Sequence, residues 1–268
     1  MNLRLAVLGA GNMGSALVRG LLSAGILKAP RMNVTDLDAG RQTALKKFGV
    51  RTGADNRAAV RDADVIVLCV KPQQMPGLLA ELAGVVQSRA LVISIAAGVR
   101  TERIEKALGK VPVIRVMPNT PALLRAGALV YASGRHAGRR HEATARKILS
   151  ALGLVWKVSE PQMDAVTALS GSGPAYVFYL AECLAAAGTA LGLAPALAEA
   201  LARQTVYGAG RMLAETQDPA AELRRRVTSP GGTTEAALRV LIRGGLGGTF
   251  RKALTAARQR SKALSAKF

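Results

Sequence analysis

The chain has 268 residues, half of them hydrophobic, which suits two modest domains with buried cores. No apolar run approaches the roughly 20 residues of a membrane span, and residues 1–14 lack the parts of a signal peptide, so we expect a cytoplasmic protein with no membrane partner. The formal net charge is +20, but the basic residues are spread over most segments and only 3% of residues are aromatic; we therefore expect nonspecific attraction to anions and no specific nucleic-acid function.

Cysteine and histidine are rare in this chain. Cys69 and Cys183 lie inside apolar segments, so we expect buried reduced thiols and neither a disulfide nor a nucleophile. With two histidines and no paired Cys/His spacing, we predict no metal site.

Up to residue 158, short apolar runs alternate with helical stretches. The runs that we interpret as strands are LRLAVL, MNVTD, VIVLCV, ALVISIAAG, VPVIRV, ALVYAS and LVWKV. Alternation of strand and helix indicates crossover connections. We predict an α/β N-terminal domain over residues 1–158 with a mostly parallel sheet.

A glycine motif, GAGNMG at residues 9–14, follows the first predicted strand and opens a predicted helix. The spacing is that of the dinucleotide fingerprint: Gly9 permits a tight turn, Gly11 lets the backbone approach the pyrophosphate, and Gly14 lets the helix pack close to the strand. The free amides of the helix N-terminus attract phosphates. The motif indicates a Rossmann-type nucleotide-binding domain.

The second predicted strand ends at Asp36, where such folds place the residue that meets the adenosine ribose. A carboxylate there accepts hydrogen bonds from a free 2′-hydroxyl and repels a 2′-phosphate. Two alternatives stay open: Asp36 or Asp38 starts a turn, or Arg41 cradles a phosphate. We predict NADP(H) or NAD(H) as the cofactor, with a slight lean to NADH.

Ligands of parallel sheets bind beyond the carboxyl ends of the strands. The runs VIVLCV and ALVISIAAG end near Lys71 and Ala97, and a polar loop carries Asn56; simple turns are the alternative for these segments. The cofactor-binding residues predicted on this basis are Gly9, Ala10, Gly11, Asn12, Met13, Gly14, Asp36, Asn56, Val70, Lys71, Pro72, Ala96 and Ala97.

From Glu160 the strand signals stop and apolar residues recur at helical spacing. We predict an all-α C-terminal domain over residues 159–268. Its alanines and glycines at turn-spaced positions permit close helix packing, which fits a homodimer. The helical segments are AYVFYLAECLAAAGTALGL, ALAEALARQTVYGAGRMLAE, EAALRVLIRGG and FRKALTAARQRSKALSAKF.

Within this half, residues 227–234 read VTSPGGTT and carry no charge. Pro230 and two glycines shape a turn, and a helix begins near Thr233 or Thr234, so that its free amides face any anion that lies there. The alternative is an ordinary N-capped helix after a Pro-Gly loop.

Six motifs follow one another over nearly the whole chain: GAGNMG, VKPQ, SIAAGV, RVMPNTPAL, DAVTALSGSGPAYVF and VTSPGGTT. In this order they resemble the motifs of the pyrroline-5-carboxylate reductase family. The resemblance implies a Rossmann domain followed by a helical dimerisation domain, with dimers often assembled further into decamers. It also implies reduction of L-1-pyrroline-5-carboxylate to L-proline with NAD(P)H. Family members that favour NADPH commonly have small or hydroxylated residues where this chain has Asp36.

The resemblance also implies roles for single residues. Ser229 and the amides of Gly232, Thr233 and Thr234 hold the substrate carboxylate, beside Gly231, and the Thr234 hydroxyl meets the ring nitrogen. Thr234 and Ser229 are therefore the predicted catalytic residues. A protonated iminium substrate needs no strong general acid and would be opposed by a nearby cation, so an uncharged loop suits it.

The same resemblance places the loop around Asn119 near the nicotinamide, which adds Asn119 to the predicted cofactor-binding residues; a rigid turn is the alternative there. Two other functions are alternatives. A β-hydroxyacid-type dehydrogenase uses a lysine of its helical domain, but no lysine occurs between Lys157 and Lys252. A non-catalytic nucleotide-binding protein is the second alternative.

Overall fold

The computed structural model describes residues 1–266. It contains two compact units: Met1–Gly171 with the segment from Ala257 onward, and Ser172–Ala256. These units do not coincide with the predicted boundary after residue 158. Residues 159–171 belong with the sheet because side chains such as Met163 are fully buried there.

The first unit contains an eight-stranded sheet in the order β3-β2-β1-β4-β5-β6-β7-β8. All neighbouring strands are parallel except β6 and β7, which confirms the predicted α/β class. The third strand was not predicted, since three residues with an exposed arginine give no apolar run. The strands are β1 (Leu5–Leu8), β2 (Met32–Thr35), β3 (Arg51–Gly53), β4 (Val65–Leu68), β5 (Leu91–Ser94), β6 (Val113–Met117), β7 (Gly127–Ser133) and β8 (Gly153–Lys157).

Helices follow most strands and make up the second unit. The first unit contains α1 (Asn12–Ser23), α2 (Ala39–Lys46), α3 (Asn56–Val60), α4 (Met75–Leu82), α5 (Thr101–Leu108), α6 (Arg139–Leu149), α7 (Met163–Val166) and a π-helical turn at Thr167–Gly171. The second unit contains α8 (Gly173–Ala190), α9 (Pro195–Glu215), α10 (Ala220–Arg226) and α11 (Thr233–Arg243), and α12 (Leu246–Ser265) begins in it and ends in the first unit.

Both faces of the sheet are covered. Alternate residues of β1 enter two different hydrophobic clusters, Leu5 and Val7 on one face and Ala6 and Leu8 on the other. This explains the continuous apolar runs in the sequence, because strands buried on both faces do not alternate with polar residues. Since β1 has β2 on one side and β4 on the other, the strand order reverses there, and ligands of such sheets bind at that point.

The second unit is all α-helical, as the sequence predicts. Its helix α8 contributes no buried residue in the single chain and presents large apolar side chains to solvent, such as Phe178 and Tyr179. The short helix α10 was not predicted, because its sequence, AAELRRR, has almost no apolar stripe.

The structure bears on the expected burial of the cysteines and on the expected lack of a membrane span. Both cysteines are free, but only Cys69 is partly buried, whereas Cys183 is exposed; burial of Cys183 is wrong for the single chain, because α8 leaves its apolar face uncovered. Among the helices of residues 1–266, none is long and apolar enough to cross a membrane.

Candidate functional site

The glycine motif forms a tight turn between β1 and α1. Gly9 has a φ of +104°, and a Cβ there would lie 2.8 Å from the carbonyl oxygen of Cys69. A Cβ on Gly14 would collide with the carbonyl oxygen of Gly9. At Gly11, which precedes α1, a Cβ would meet no described atom within 4 Å. The first and third glycines therefore permit close packing, and the second leaves the helix N-terminus open.

Asp36 connects the end of β2 to this turn. Its carboxylate accepts hydrogen bonds from the amide of Ala10, at 2.7 Å, and from the amide of Asp38, at 2.9 Å. Arg41 lies 3.5 Å away. Burial of the Asp36 carboxyl opposes its ionisation, but the two amides and Arg41 outweigh that effect and hold its pKa below the ordinary value. Asp36 therefore presents an ionised carboxylate.

A cleft of about 660 Å³ lies beyond the carboxyl ends of β1, β2 and β4. It brings together several of the residues predicted to bind the cofactor: Gly9, Gly11, Asn12, Met13, Asp36, Asn56, Val70 and Lys71. It is also lined by residues that no sequence motif indicated as cofactor-binding, namely Thr35, Leu37, Ala54, Cys69, Gln74, Leu78 and Glu81, together with Arg41.

The remaining predicted residues belong to the first unit but are not among those that line this cleft. Ala10 and Ala96 are buried, and Ala97 is exposed. Pro72 opens a short 3₁₀ turn after Lys71. Asn119 accepts a hydrogen bond from the amide of Ala128, at 2.9 Å, so its side-chain oxygen holds the start of β7, the structural role that the turn alternative describes.

Asn56 is more than a turn former. Its side-chain oxygen accepts a hydrogen bond from the Thr35 hydroxyl at 2.6 Å, and its amide nitrogen donates to Glu81 at 3.0 Å. Nothing in the sequence pairs these three residues, because they come from β2, α3 and α4 and meet only in the folded sheet.

The Cys69 side chain is half-buried at the end of β4, beside the glycine turn. Burial raises the pKa of its thiol to about 12, so the thiol stays protonated near neutral pH. A neutral, half-buried thiol is a poor nucleophile.

Residues 227–234 comprise a tight turn between α10 and α11, at 227–232, and the first two residues of α11. Gly231 has a φ of +70°, which favours glycine. The amide of Gly232 donates to the carbonyl oxygen of Ser229 at 3.0 Å, and a Cβ on Gly232 would collide with the Ser229 hydroxyl. The turn therefore favours glycine at position 231, whereas a side chain at position 232 would require the Ser229 hydroxyl to move.

Gly232 also occupies the N-cap of α11, and it has no side chain with which to cap the helix. The capped-helix alternative therefore does not describe this turn. No described residue accepts a hydrogen bond from the amides of Thr233 or Thr234. The Thr234 side chain is half-buried, whereas those of Ser229 and Thr233 are exposed. This helix N-terminus can bind an anion through two free amides.

Residues 227–234 carry no charge themselves, but a charged side chain of α11 lies against the turn. Glu235 folds back so that its carboxylate accepts a hydrogen bond from the amide of Gly231 at 2.6 Å. A glutamate in the third helical position is a known signal of such a back-bond, so the sequence TTE could have revealed it. The amide of Gly232 is also occupied, so of the three amides predicted to hold the substrate carboxylate, those of Thr233 and Thr234 remain free.

The arginines before the turn are largely neutralised. Arg226 pairs with Asp218 and Glu222, and Arg225 pairs with Glu222. The hydrogen bond from Arg225, followed by that from Arg226, lowers the pKa of Glu222. These exposed pairs keep two guanidinium groups engaged along α10.

Known families match both parts of the chain. The family described as pyrroline-5-carboxylate reductase dimerisation matches residues 160–264. The family described as NADP oxidoreductase, coenzyme F420-dependent, matches residues 4–98. The first match covers the turn at residues 227–234, and the second covers the glycine motif and Asp36.

Individual relatives extend over nearly the full length. A pyrroline-5-carboxylate reductase from Pseudomonas aeruginosa is 44% identical over 268 residues, covering 98% of this chain and 97% of the relative. A solved pyrroline-5-carboxylate reductase from Coxiella burnetii is also 44% identical, with a TM-score of 0.94 and coverage of 98% and 99%. A Plasmodium falciparum pyrroline carboxylate reductase solved with NADP bound is 31% identical, with a TM-score of 0.85 and coverage of 98% of each chain. The chain belongs to the pyrroline-5-carboxylate reductase family.

Proposed function

We propose that the chain reduces L-1-pyrroline-5-carboxylate to L-proline, with the coenzyme in the cleft at β1, β2 and β4 and the substrate at the N-terminus of α11. Family membership confirms the predicted enzyme class, an NAD(P)H-dependent oxidoreductase that reduces an imine. It sets aside the β-hydroxyacid dehydrogenase and the non-catalytic binding protein. The placement of coenzyme and substrate on particular residues is our proposal.

The cleft fits the diphosphate of a dinucleotide. The space beside Gly11 is open, and the free amides at the start of α1 point toward an anion placed there. The bound coenzyme supplies the hydride. The chain contributes the glycine turn, the hydroxyl and carboxylate groups at the end of β2, and the side chains that follow β4.

We further propose a preference for NADH. Asp36 is ionised and held by two amides, so it can accept from a ribose hydroxyl but repels a phosphate. Arg41 could bind a 2′-phosphate, yet it lies 3.5 Å from Asp36 and 3.6 Å from Asp38, which offsets its charge. The NADP named with the Plasmodium relative makes this preference a point to test.

The observation that carries the substrate assignment is the uncapped N-terminus of α11. Its amides at Thr233 and Thr234 suit a carboxylate, and the half-buried Thr234 hydroxyl is the group proposed to orient the ring nitrogen. Ser229, exposed on the turn, is the further proposed donor to the carboxylate. With the substrate bound as an iminium, these neutral groups orient it without opposing its charge. Gly231 and Gly232 shape the turn, and no described residue accepts a hydrogen bond from the amides of Thr233 and Thr234.

The family's dimerisation region spans residues 160–264, and the chain oligomerises. We propose a homodimer formed through the exposed apolar side chains of α8, with further assembly into a decamer as the larger form to test. The cytoplasmic location and the lack of a specific nucleic-acid partner remain predictions.

A spectrophotometric assay of the purified chain tests the activity. Oxidation of NADH or NADPH is followed with pyrroline-5-carboxylate and without substrate. Reduction of the oxidised coenzyme is followed separately with a 3-hydroxy acid, and none is expected. We expect oxidation only with the imine, and faster at limiting NADH than at equal NADPH. Coenzyme binding without imine turnover would overturn the proposed activity, and a clear NADPH preference would overturn the proposed role of Asp36 alone.

A further inference from the structure

Three side chains from separate elements form a hydrogen-bonded series along the wall of the coenzyme cleft. Thr35 ends β2 and is 2% exposed, Asn56 is the first residue of α3, and Glu81 lies near the end of α4. The Thr35 hydroxyl donates to the Asn56 oxygen at 2.6 Å, and the Asn56 nitrogen donates to a Glu81 oxygen at 3.0 Å. All three residues line the cleft.

This series fixes which way the Asn56 amide faces. A carboxylate only accepts hydrogen bonds, so Glu81 requires the NH₂ end of Asn56, and the Thr35 hydroxyl then meets its oxygen. The opposite orientation would place the amide oxygen against the carboxylate. Asn56 keeps one N–H and one lone pair that these two partners do not use, and it can present both to a ligand in the cleft.

We infer that Glu81 is a positioning residue, which acts through Asn56 to orient the amide that contacts the coenzyme. The inference rests on the proposed placement of the coenzyme in this cleft. The backbone of Glu81 makes a separate contact: its carbonyl oxygen accepts a hydrogen bond from the Arg57 guanidinium at 2.9 Å. Substitution of the Glu81 side chain leaves that backbone bond in place.

The test measures the dissociation constants of NADH and NADPH by titration of coenzyme fluorescence, without turnover. Glu81→Ala removes the acceptor, and we expect both constants to rise about fivefold, the loss typical of one oriented hydrogen bond. Glu81→Gln keeps an acceptor oxygen, and we expect it to stay within about twofold of the wild type. Glu102→Ala, which truncates an exposed glutamate on α5 away from the cleft, is the matched control.

A double-mutant cycle separates positioning from a general structural effect. If Glu81 acts through Asn56, Glu81→Ala should change coenzyme affinity by less than about twofold in an Asn56→Ala background. We also expect the KM for pyrroline-5-carboxylate to be unchanged in Glu81→Ala. An undiminished effect of Glu81→Ala without Asn56, or no effect in the wild-type background, would overturn the inference.

Two further outcomes are distinguishable. If Glu81→Ala does not fold, Glu81→Leu, which keeps an apolar side chain and removes the acceptor, takes its place, and the same fivefold rise is expected from it; unchanged affinity would count against the inference. Failure of the wild-type chain to bind either coenzyme would overturn the proposed function itself.

Discussion

At the scale of single residues, the partners of a side chain decide what it can offer a ligand. Asp36 is the clearest case, because amides from two segments and Arg41 hold its pKa below the ordinary value although its burial acts in the opposite direction. Because the pKa of Asp36 is lower in the folded state than in the unfolded state, its carboxylate stabilises the fold at pH values above the unfolded-state pKa. That contribution is lost as the pH falls through the folded-state pKa. Near neutral pH, Asp36 is an anion.

Asp36→Asn should therefore shift the coenzyme preference toward NADPH. Removal of one charge beside the ribose should lower the ratio of kcat/KM for NADH over NADPH about tenfold or more. The measurement is steady-state kinetics with each coenzyme. Asp62→Asn is the matched control, since the Asp62 carboxylate is exposed and Asp62 is not among the residues that line the cleft. An unchanged ratio in Asp36→Asn would contradict the argument.

Thr234 and Thr233 make a second matched pair at residue scale. Thr234→Ala should reduce kcat/KM for pyrroline-5-carboxylate about 10- to 100-fold, because the ring is no longer held in a reactive orientation. Coenzyme affinity, measured by fluorescence titration, should not change. Thr233→Ala keeps the backbone amide that we propose to bind the carboxylate, so its effect should be much smaller. Equal losses in both variants would remove the Thr234 hydroxyl from the mechanism.

At the scale of elements, buried polar contacts join the sheet to segments that follow it in the chain. Arg115 on β6 is 3% exposed and pairs with Glu160 at 2.6 Å. Asp164 on α7 accepts a buried hydrogen bond from Ser261 on α12 at 2.7 Å. These contacts explain why residues 159–171 and the end of α12 belong to the first compact unit, although they are helical.

Removal of the Glu160 carboxylate should lower the free energy of unfolding. Glu160→Ala leaves the Arg115 guanidinium buried without its counter-charge, which costs about 3 kcal/mol. Chemical denaturation gives the value. Glu199→Ala, which breaks the exposed pair with Arg203, should cost no more than about 0.5 kcal/mol. Equal losses of unfolding free energy in Glu160→Ala and Glu199→Ala would show that burial does not strengthen the pair of Arg115 and Glu160.

At the scale of the whole molecule, exposed apolar surface and net charge set the partners. Helix α8 exposes Val177, Phe178, Tyr179 and Leu180, more than a single soluble helix usually leaves in water. The net charge of +20 acts against association at low salt. Oligomerisation must therefore come from apolar burial and should persist at high salt.

Phe178→Glu should convert the proposed homodimer to a monomer at micromolar concentration, because a buried unpaired carboxylate opposes the interface. Native mass spectrometry or light scattering gives the mass. Phe48→Glu places the same change at an exposed phenylalanine outside the dimerisation region and should leave the mass unchanged. A wild-type chain that runs as a monomer at this concentration would contradict the prediction.

The sequence by itself determined the class of fold, the glycine turn, the position of Asp36 and the turn at residues 227–234. These features depend on local patterns: apolar periodicity, glycine spacing and helix start signals reflect the backbone conformation of neighbouring residues. The same patterns failed for β3 and α10, which are short and have little apolar character.

Only the tertiary structure decided which polar groups are engaged and which are free. Residues distant in sequence meet in the series from Thr35 through Asn56 to Glu81 and in the bond between Asp164 and Ser261. Contacts of this kind also set the boundary between the two units. Hydrogen bonds and burial depend on distance in space. Local patterns in the sequence do not show which distant side chains meet at the edge of a sheet.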